Sequence, residues 1–384
     1  MGFSGYVRPD GRVGVRNHVL ILSSVSCANG VVNAIGRELP EVKTITHTEG
    51  CGRGPADIGL SNRTLVGLGS NPNVAALLII GLGCEFIKAP GIRDAVAATG
   101  KPVEVLNIQE KGGSIKTASE GVKIAKKLLE QAAETKRTEC GWDKLSVGLE
   151  CGGSDALSGV TANPMVGATA DWLVGLGATA VLSETTEMMG TAEVLARRAA
   201  TPELGDRIRK LIEKQEELMN LHLGPFKNIS ISPGNMDGGL STIREKSMGC
   251  IIKGGTTTIN DLVEYAATPE KAGLVLMDTP GSDIFSLTGM AAGGCQIMIF
   301  TTGRGTPAGF PTVPVIKVAT NSALFEKMND DMDINAGQII EGKSVEEVSA
   351  DLNGLLERVA GGELTKAEKN LQESVSILTV GPAF

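Results

Sequence analysis

The chain has 384 residues with 44 acidic against 36 basic side chains and a net charge of −8. With no Lys/Arg-rich block, that balance argues against a nucleic-acid or anionic-membrane partner. Hydrophobic residues at 42% and charged residues at 21% exclude disorder and a coiled coil, and the length suits two domains.

The opening MGFSGYVRPDGRVGVRNH lacks the apolar core of a secretion signal, and the apolar stretch Val74 to Leu82 is too short to span a bilayer. A cytoplasmic protein is expected. The 7 cysteines, at positions 27, 51, 84, 140, 151, 250 and 295, show no CxxC spacing, as free thiols or ligands in a reducing compartment would. In chain order, buried strands are predicted at 18–22, 75–80, 103–108, 145–149, 178–182, 273–277, 297–300 and 313–318. Helical patterns lie between them, including 115–135 and 202–221, and another follows Ser344. Strands alternating with helices predict α/β architecture: two Rossmann-like domains with largely parallel sheets and flanking helices. The charged stretch Glu130 to Lys144 places the boundary near residue 140, giving domains 1–140 and 141–384.

In such folds ligands bind beyond the carboxyl ends of strands, so the residues after each strand are the candidates. The exits read SCANG at 26–30, GLGCE at 81–85, ECGGSD at 150–155, SETTEMMG at 183–190, MDTPGSD at 277–283 and TTGRGTP at 301–307. They combine glycine with Cys, Glu, Asp, Ser, Thr or Arg. His47, Glu49 and Cys51 crowd one further loop, and iron or zinc accepts such donors. Cys140 and Cys250 lack polar company and read as structural or incidental. His18 reads as a core or rim histidine and His222 as solvated. Asn235 lies ahead of a helix opened by Ser241-Thr242, whose Lys246, or the later Lys253, could serve as a general base. Arg304 suits a carboxylate. The absence of GxxxxGK[ST], a well-placed GxGxxG and GxSxG disfavours nucleotide binding and a serine hydrolase.

The linked motifs RPDGRVGVRNH at 8–18, GLGCE, ECGGSDALSGVTANPMVG at 150–167, SETTEMMGTAEVLARRA at 183–199, GNMDGGLSTIREKSMG at 234–249, MDTPGSD, GGCQIMIFTTGRGTP at 293–307 and NDDMDINAG at 329–337 resemble the altronate dehydratase and galactarate dehydratase family. The resemblance runs from about residue 5 to about residue 365. It implies a lyase that removes water from a sugar acid to leave a 2-keto-3-deoxy acid, with iron as cofactor, either mononuclear Fe2+ or an iron–sulfur cluster. The implied metal ligands are His47, Cys51, Cys84 and Cys151. The implied catalytic residues are Lys246, Glu184 and Asp155. Ser154, Thr161, Asn163, Glu187, Asn235, Thr302 and Arg304 are expected to bind substrate.

Members of the family carry a small N-terminal domain ahead of the matching region, and this chain opens directly on GYVRPDGRVG. Either a separate small subunit supplies that domain, as a partner beside the hydroxy-acid substrate, or this member dispenses with it; a homo-oligomer is an option. The related sulfolactate sulfo-lyase large subunit, which expels sulfite, is the alternative, and a non-catalytic sugar-acid-binding protein is a further one.

Overall fold

The computed structural model describes residues 2–224 and 231–384. Near the start, β1 (Gly2–Val7) pairs antiparallel with the two-residue β2 (Val13–Gly14). The first parallel sheet follows, formed by β3 (His18–Ser23), β4 (Lys43–Ile45), β5 (Val74–Gly81) and β6 (Val103–Asn107) in the order β4-β3-β5-β6. Every residue of β5 is buried, as its unbroken apolar run requires of a strand covered on both faces. Next, β7 (Thr138–Gly141) returns to pair with the free side of β1. Phe3, Trp142 and Trp172 stack beside that pairing, with ring centroids 5.4 and 5.6 Å apart, and pin the start of the chain to the second half.

The second sheet contains β8 (Ser146–Cys151), β9 (Thr179–Leu182), β10 (Ile259–Val263), β11 (Gly273–Met277), β12 (Ile297–Thr302), β13 (Val315–Ala319) and β14 (Ile334–Asn335). Its order is β10-β11-β9-β8-β12-β13-β14, with every pairing parallel. The expected α/β class with parallel sheets is what the chain adopts. The short β4, the edge strands β10 and β14 and the antiparallel β1/β7 pair were not anticipated. They carry few consecutive apolar residues because each is edge-placed or only part buried.

The two parallel sheets share an apolar core in which Leu20, Leu22 and Leu77 of the first meet Met277, Met298 and Phe300 of the second. The helix Pro55–Ser70 packs on the helix Asp283–Ala292, so closely that a Cβ on Gly67 would lie 2.4 Å from the Ala292 carbonyl oxygen. Buried Asn71 and Asn73 donate to carbonyls of Ala291, Cys295, Gln296 and Thr312 across this seam at 2.8–2.9 Å. Arg16, in the polar RVGVRNH segment, is fully used as a strut: it pairs with Glu368 at 2.7 Å and donates to the carbonyls of Val359 and Glu363. His18 is held neutral by burial, its pKa lowered to about 3. No helix among the described residues is long and apolar enough to cross a membrane.

Candidate active site

In the second sheet the chain leaves central β8 for β9 on one side and later returns to place β12 on the other. The crevice outside the carboxyl end of β8 is thus the switch point where open α/β sheets bind ligands. Cys151 is the last residue of β8, Ser183 and Glu184 follow β9, and Thr301 and Thr302 end β12. Onto this edge folds the helix Ile243–Ile251, continued by a 3-10 turn at Ile252–Gly254. Lys246, Cys250 and Lys253 stand at i, i+4 and i+7, the spacing that puts side chains on one face.

That face closes a buried cluster in which Cys151, Glu184, Glu187 and Cys250 bring one ligand atom each to within 4.8 Å of the others, the spacing a metal ion would require. The Lys253 ammonium is already inside it, paired with Glu184 Oε2 and 3.4 Å from Cys250 Sγ, and both partners of the pair are fully buried. Lys246 pairs with Glu187 Oε1 at 2.6 Å. Cys151 Sγ lies 3.5 Å from Glu184 Oε1, near enough to share a proton, and Cys151 N–H donates to Glu184 Oε2 at 3.0 Å. Glu184 adopts a left-handed backbone with φ 68, costly for a residue with a Cβ, and its N–H donates to Thr279 Oγ1 at 2.7 Å.

The electrostatics follow from burial with compensation. Burial pushes the Glu184 carboxyl well up, reinforced by the charges of Cys151 and Glu150 and opposed by Lys253. Cys151 is pulled well down, first by a hydrogen bond from Cys250 and then by the Lys253 and Lys246 ammoniums, so its thiolate is the favoured form. For Lys253 and Lys246 burial alone opposes the charge, but the surrounding anions together raise both pKa values. Burial lifts Glu187 to about 7 against the pull of Lys246. Glu187 Oε2, Glu150 Oε1 and the Ser154 hydroxyl are buried with no partner among the described residues, which leaves them open to a ligand.

A pocket of about 220 Å³ opens here, its lining including Cys151, Ser154, Asp155, Asn163 and Lys246. It is smaller than the roughly 300–1,000 Å³ of sites for drug-sized molecules and suits a compact ligand. The predicted substrate residues divide by position. Ser154, Asn163 and Asp155 line the pocket, although the Asp155 carboxylate is already engaged by Ser158 and Thr320 hydroxyls at 2.9 Å each. A Cβ on Gly303 would fall 2.1 Å from Asp155 Cγ, so only glycine lets the β12 exit approach that carboxylate. Asn163 ties the site together through Thr301 Oγ1 and the Gly249 carbonyl. Asn235 donates to the Ser154 carbonyl at 2.8 Å and positions that loop. Thr161 donates to the Thr320 carbonyl, and Thr302 Oγ1 accepts from the N–H groups of Gly305 and Thr306. Arg304 is exposed and lies outside the pocket lining.

The four predicted metal ligands are not brought together. Cys151 belongs to the second sheet, whereas His47, Cys51 and Cys84 lie on loops of the first, and none of these three is in the converging set. His47 spends both ring nitrogens on the backbone, Nε2 with the Ser23 carbonyl at 2.8 Å and Nδ1 with Glu49 N–H at 3.1 Å. Cys250, read as incidental, sits at the centre. The usable signal was the 246/250/253 spacing, which places that thiol on the face carrying both lysines.

Comparison with known proteins bears on this arrangement. The family model described as D-galactarate/altronate dehydratase, C-terminal, matches residues 142–383. The one described as D-galactarate dehydratase/altronate hydrolase, second domain, matches residues 5–133. The chain is 36% identical to an altronate dehydratase of Bacillus subtilis, with 99% of this chain and 78% of that one covered. It is 37% identical to the L-threo-forming galactarate dehydratase of Escherichia coli, covering 94% and 73%. A (2R)-sulfolactate sulfo-lyase subunit beta from Chromohalobacter salexigens is 34% identical, covering 95% of this chain and 94% of its own.

Proposed function

Since the chain belongs to the D-galactarate/altronate dehydratase family, whose named members are hydro-lyases, we propose that it dehydrates a sugar acid such as altronate or galactarate to a 2-keto-3-deoxy acid. The observation that carries the reading is the small pocket whose lining sets a favoured thiolate, Cys151, beside a retained ammonium, Lys246.

Removing the proton next to a carboxylate needs a base and a cation to take up the developing charge. In this reading Cys151 takes the proton and shares it with Glu184. Lys246 acts as the cation rather than as the base: its N–H groups hold the substrate carboxylate. The electron pair of the broken C–H bond then expels the hydroxyl on the neighbouring carbon. Glu187, with a pKa of about 7, carries the proton that leaves with that hydroxyl as water. The enol so formed takes up a proton at the carbon that lost the hydroxyl, which gives the keto acid. Ser154, with its free hydroxyl, holds a substrate hydroxyl.

Iron is part of the proposal; bound, it would supply a Lewis acid for the departing hydroxyl. The converging set of Cys151, Glu184, Glu187 and Cys250 does not suit it. An entering dication would have to expel the enclosed Lys253 ammonium, which already neutralises Glu184, and no step is derived through an ion there. A separate small chain is carried as a partner, supported by the sulfolactate relative being named as one subunit of an assembly.

The test is anaerobic incubation, with and without a co-expressed small subunit, against a panel of aldonates, aldarates and sulfolactate. Formation of a 2-keto-3-deoxy acid from a sugar acid is the expected outcome. Sulfite release from sulfolactate alone would move the chain to the sulfo-lyase branch, and no turnover of any acid would favour a binding protein.

A further inference from the structure

We infer that Glu245 fixes the charge of the acid this pocket admits: a sugar acid with a single carboxylate, an aldonate, is accepted, and an acid with a second anionic end, an aldarate or sulfolactate, is turned away. The inference rests on the proposed dehydration and narrows its substrate class.

The pocket has an inner and an outer end. Cys151, Ser154 and Asp155 are buried and the Lys246 side chain nearly so, whereas Val160, Glu245, Met248 and Ile252 line the same pocket and are exposed. A substrate whose carboxylate is held by Lys246 beside Cys151 therefore points the rest of its carbon chain outward. The far end of that chain meets the outer wall.

The charges of the lining are lopsided. Among the described residues Lys246 is its one cation, and that ammonium already has Glu187 as a partner at 2.6 Å. A single substrate carboxylate takes up the donors it has left. The other cations of the region stand elsewhere: Lys253 is enclosed with Glu184, Arg244 lines a neighbouring groove with Glu216, and Arg304 lies outside the lining. Asp155 and Glu245 are both acids, and the hydroxyls of Ser158 and Thr320, not a cation, hold Asp155.

Of the two acids, Glu245 is the one at the outer end. It is the third residue of the helix Ile243–Ile251, and its Oε2 accepts from Ser241 N–H at 2.8 Å and from Ser241 Oγ at 2.5 Å. Those bonds hold its carboxyl below the usual carboxylate range, so it is an anion at neutral pH. Val160, Met248 and Ile252 beside it add neither a side-chain donor nor a charge. A second carboxylate or a sulfonate at this end would face a fixed anion with no cation to offset it. The hydroxymethyl end of an aldonate can instead donate a hydrogen bond to Glu245. Attraction for one acid and repulsion of the other then act in the same direction. A helix-capping role alone would account for the Ser241 bonds, but it would be indifferent to the charge of the substrate.

The measurement is kcat/KM of the whole chain for pairs of acids that differ only at the carbon farthest from the reacting carboxylate, hydroxymethyl in one and carboxylate in the other. Calorimetry reads the affinity for the same pairs. The hydroxymethyl acid should be favoured at least about 10-fold, chiefly through KM, because one like charge near a protein surface acts on ground and transition states alike. Glu245→Gln keeps an acceptor for Ser241 and should lose most of that preference at an unchanged Tm. Glu245→Lys should reverse it, and high salt should weaken it in the wild type. Equal or better use of the diacid by the wild type, or the same preference in all three proteins, would overturn the inference and leave the dehydratase reading standing. The preference seen in binding, with no turnover of any acid, removes the dehydratase reading alone; no binding of either acid removes both.

Discussion

Lys253 is the position at which the account of the buried cluster is most exposed to test. Lys253→Met keeps the length of the side chain and removes its charge, leaving Glu184 fully buried with the charges of Cys151, Glu150 and Glu187 nearby. Removing one partner of a buried pair costs roughly 3–5 kcal/mol, and at about 2 °C per kcal/mol for a chain of this size Tm should fall by roughly 6–10 °C. The loss should depend on pH with a definite sign. The folded pKa of Glu184 is already raised above its unfolded value and rises further without Lys253. At pH below the ordinary carboxylate range Glu184 is protonated in both folded and unfolded states, and the variant's deficit is smallest there. The deficit grows only above the wild type's own folded value, where the wild type ionises Glu184 beside Lys253 and the variant, its value raised further, does not. In the double variant Lys253→Met/Glu184→Gln both charges are gone, so it should lose less stability than Lys253→Met alone. Thermal unfolding of the three proteins between pH 5 and 8 decides the matter. A deficit that is flat in pH, or single losses that simply add, would refute the reasoning.

Glu187→Gln should remove an inflection near pH 7 from the kcat/KM profile, because burial places the native carboxyl at about 7. The raised folded pKa also means that this group costs stability as pH rises from the carboxylate range through 7, so the Tm difference between pH 5 and pH 8 should shrink in that variant. Ser154→Ala removes a buried hydroxyl that has no partner among the described residues. Steady-state kinetics should show KM raised about 5- to 10-fold, the worth of one hydrogen bond, with Tm unchanged; an unchanged KM would remove Ser154 from the substrate contacts. Gly303→Ala drives a methyl into Asp155 and should cost about 1–3 kcal/mol in denaturant unfolding.

Much of the fold can be read from the chain because its central strands are continuous apolar runs between turn signals, β5 and β12 above all. The segments that escape, such as β4, β10 and β14, are short and partly polar, and a neighbour's register rather than their own pattern makes them strands. The same division runs through the site. That Cys151, Glu184 and Glu187 follow strands is visible in sequence, since strand exits are where α/β sheets place chemistry. Which exits meet is set by strand order, which no local pattern encodes, and so Cys51 and Cys84 could be grouped with Cys151 although they end strands of another sheet. Lys253 and Cys250 look like ordinary helix residues until the helix is folded against β8 and β9. Asn235 and Thr161 carry the polarity of ligand-binding residues but spend it on the carbonyls of Ser154 and Thr320.

The claim that the Cys151–Lys246 pocket performs the elimination is tested most directly by NMR of sugar-acid dehydration by the wild-type chain and Lys246→Met, on protein shown to be folded. Loss of a preorganised charged donor should lower kcat/KM by about 10²–10³-fold, with the wild type forming the 2-keto-3-deoxy acid under the same conditions. Equal rates in the two proteins would contradict the assignment of this pocket as the place where water leaves.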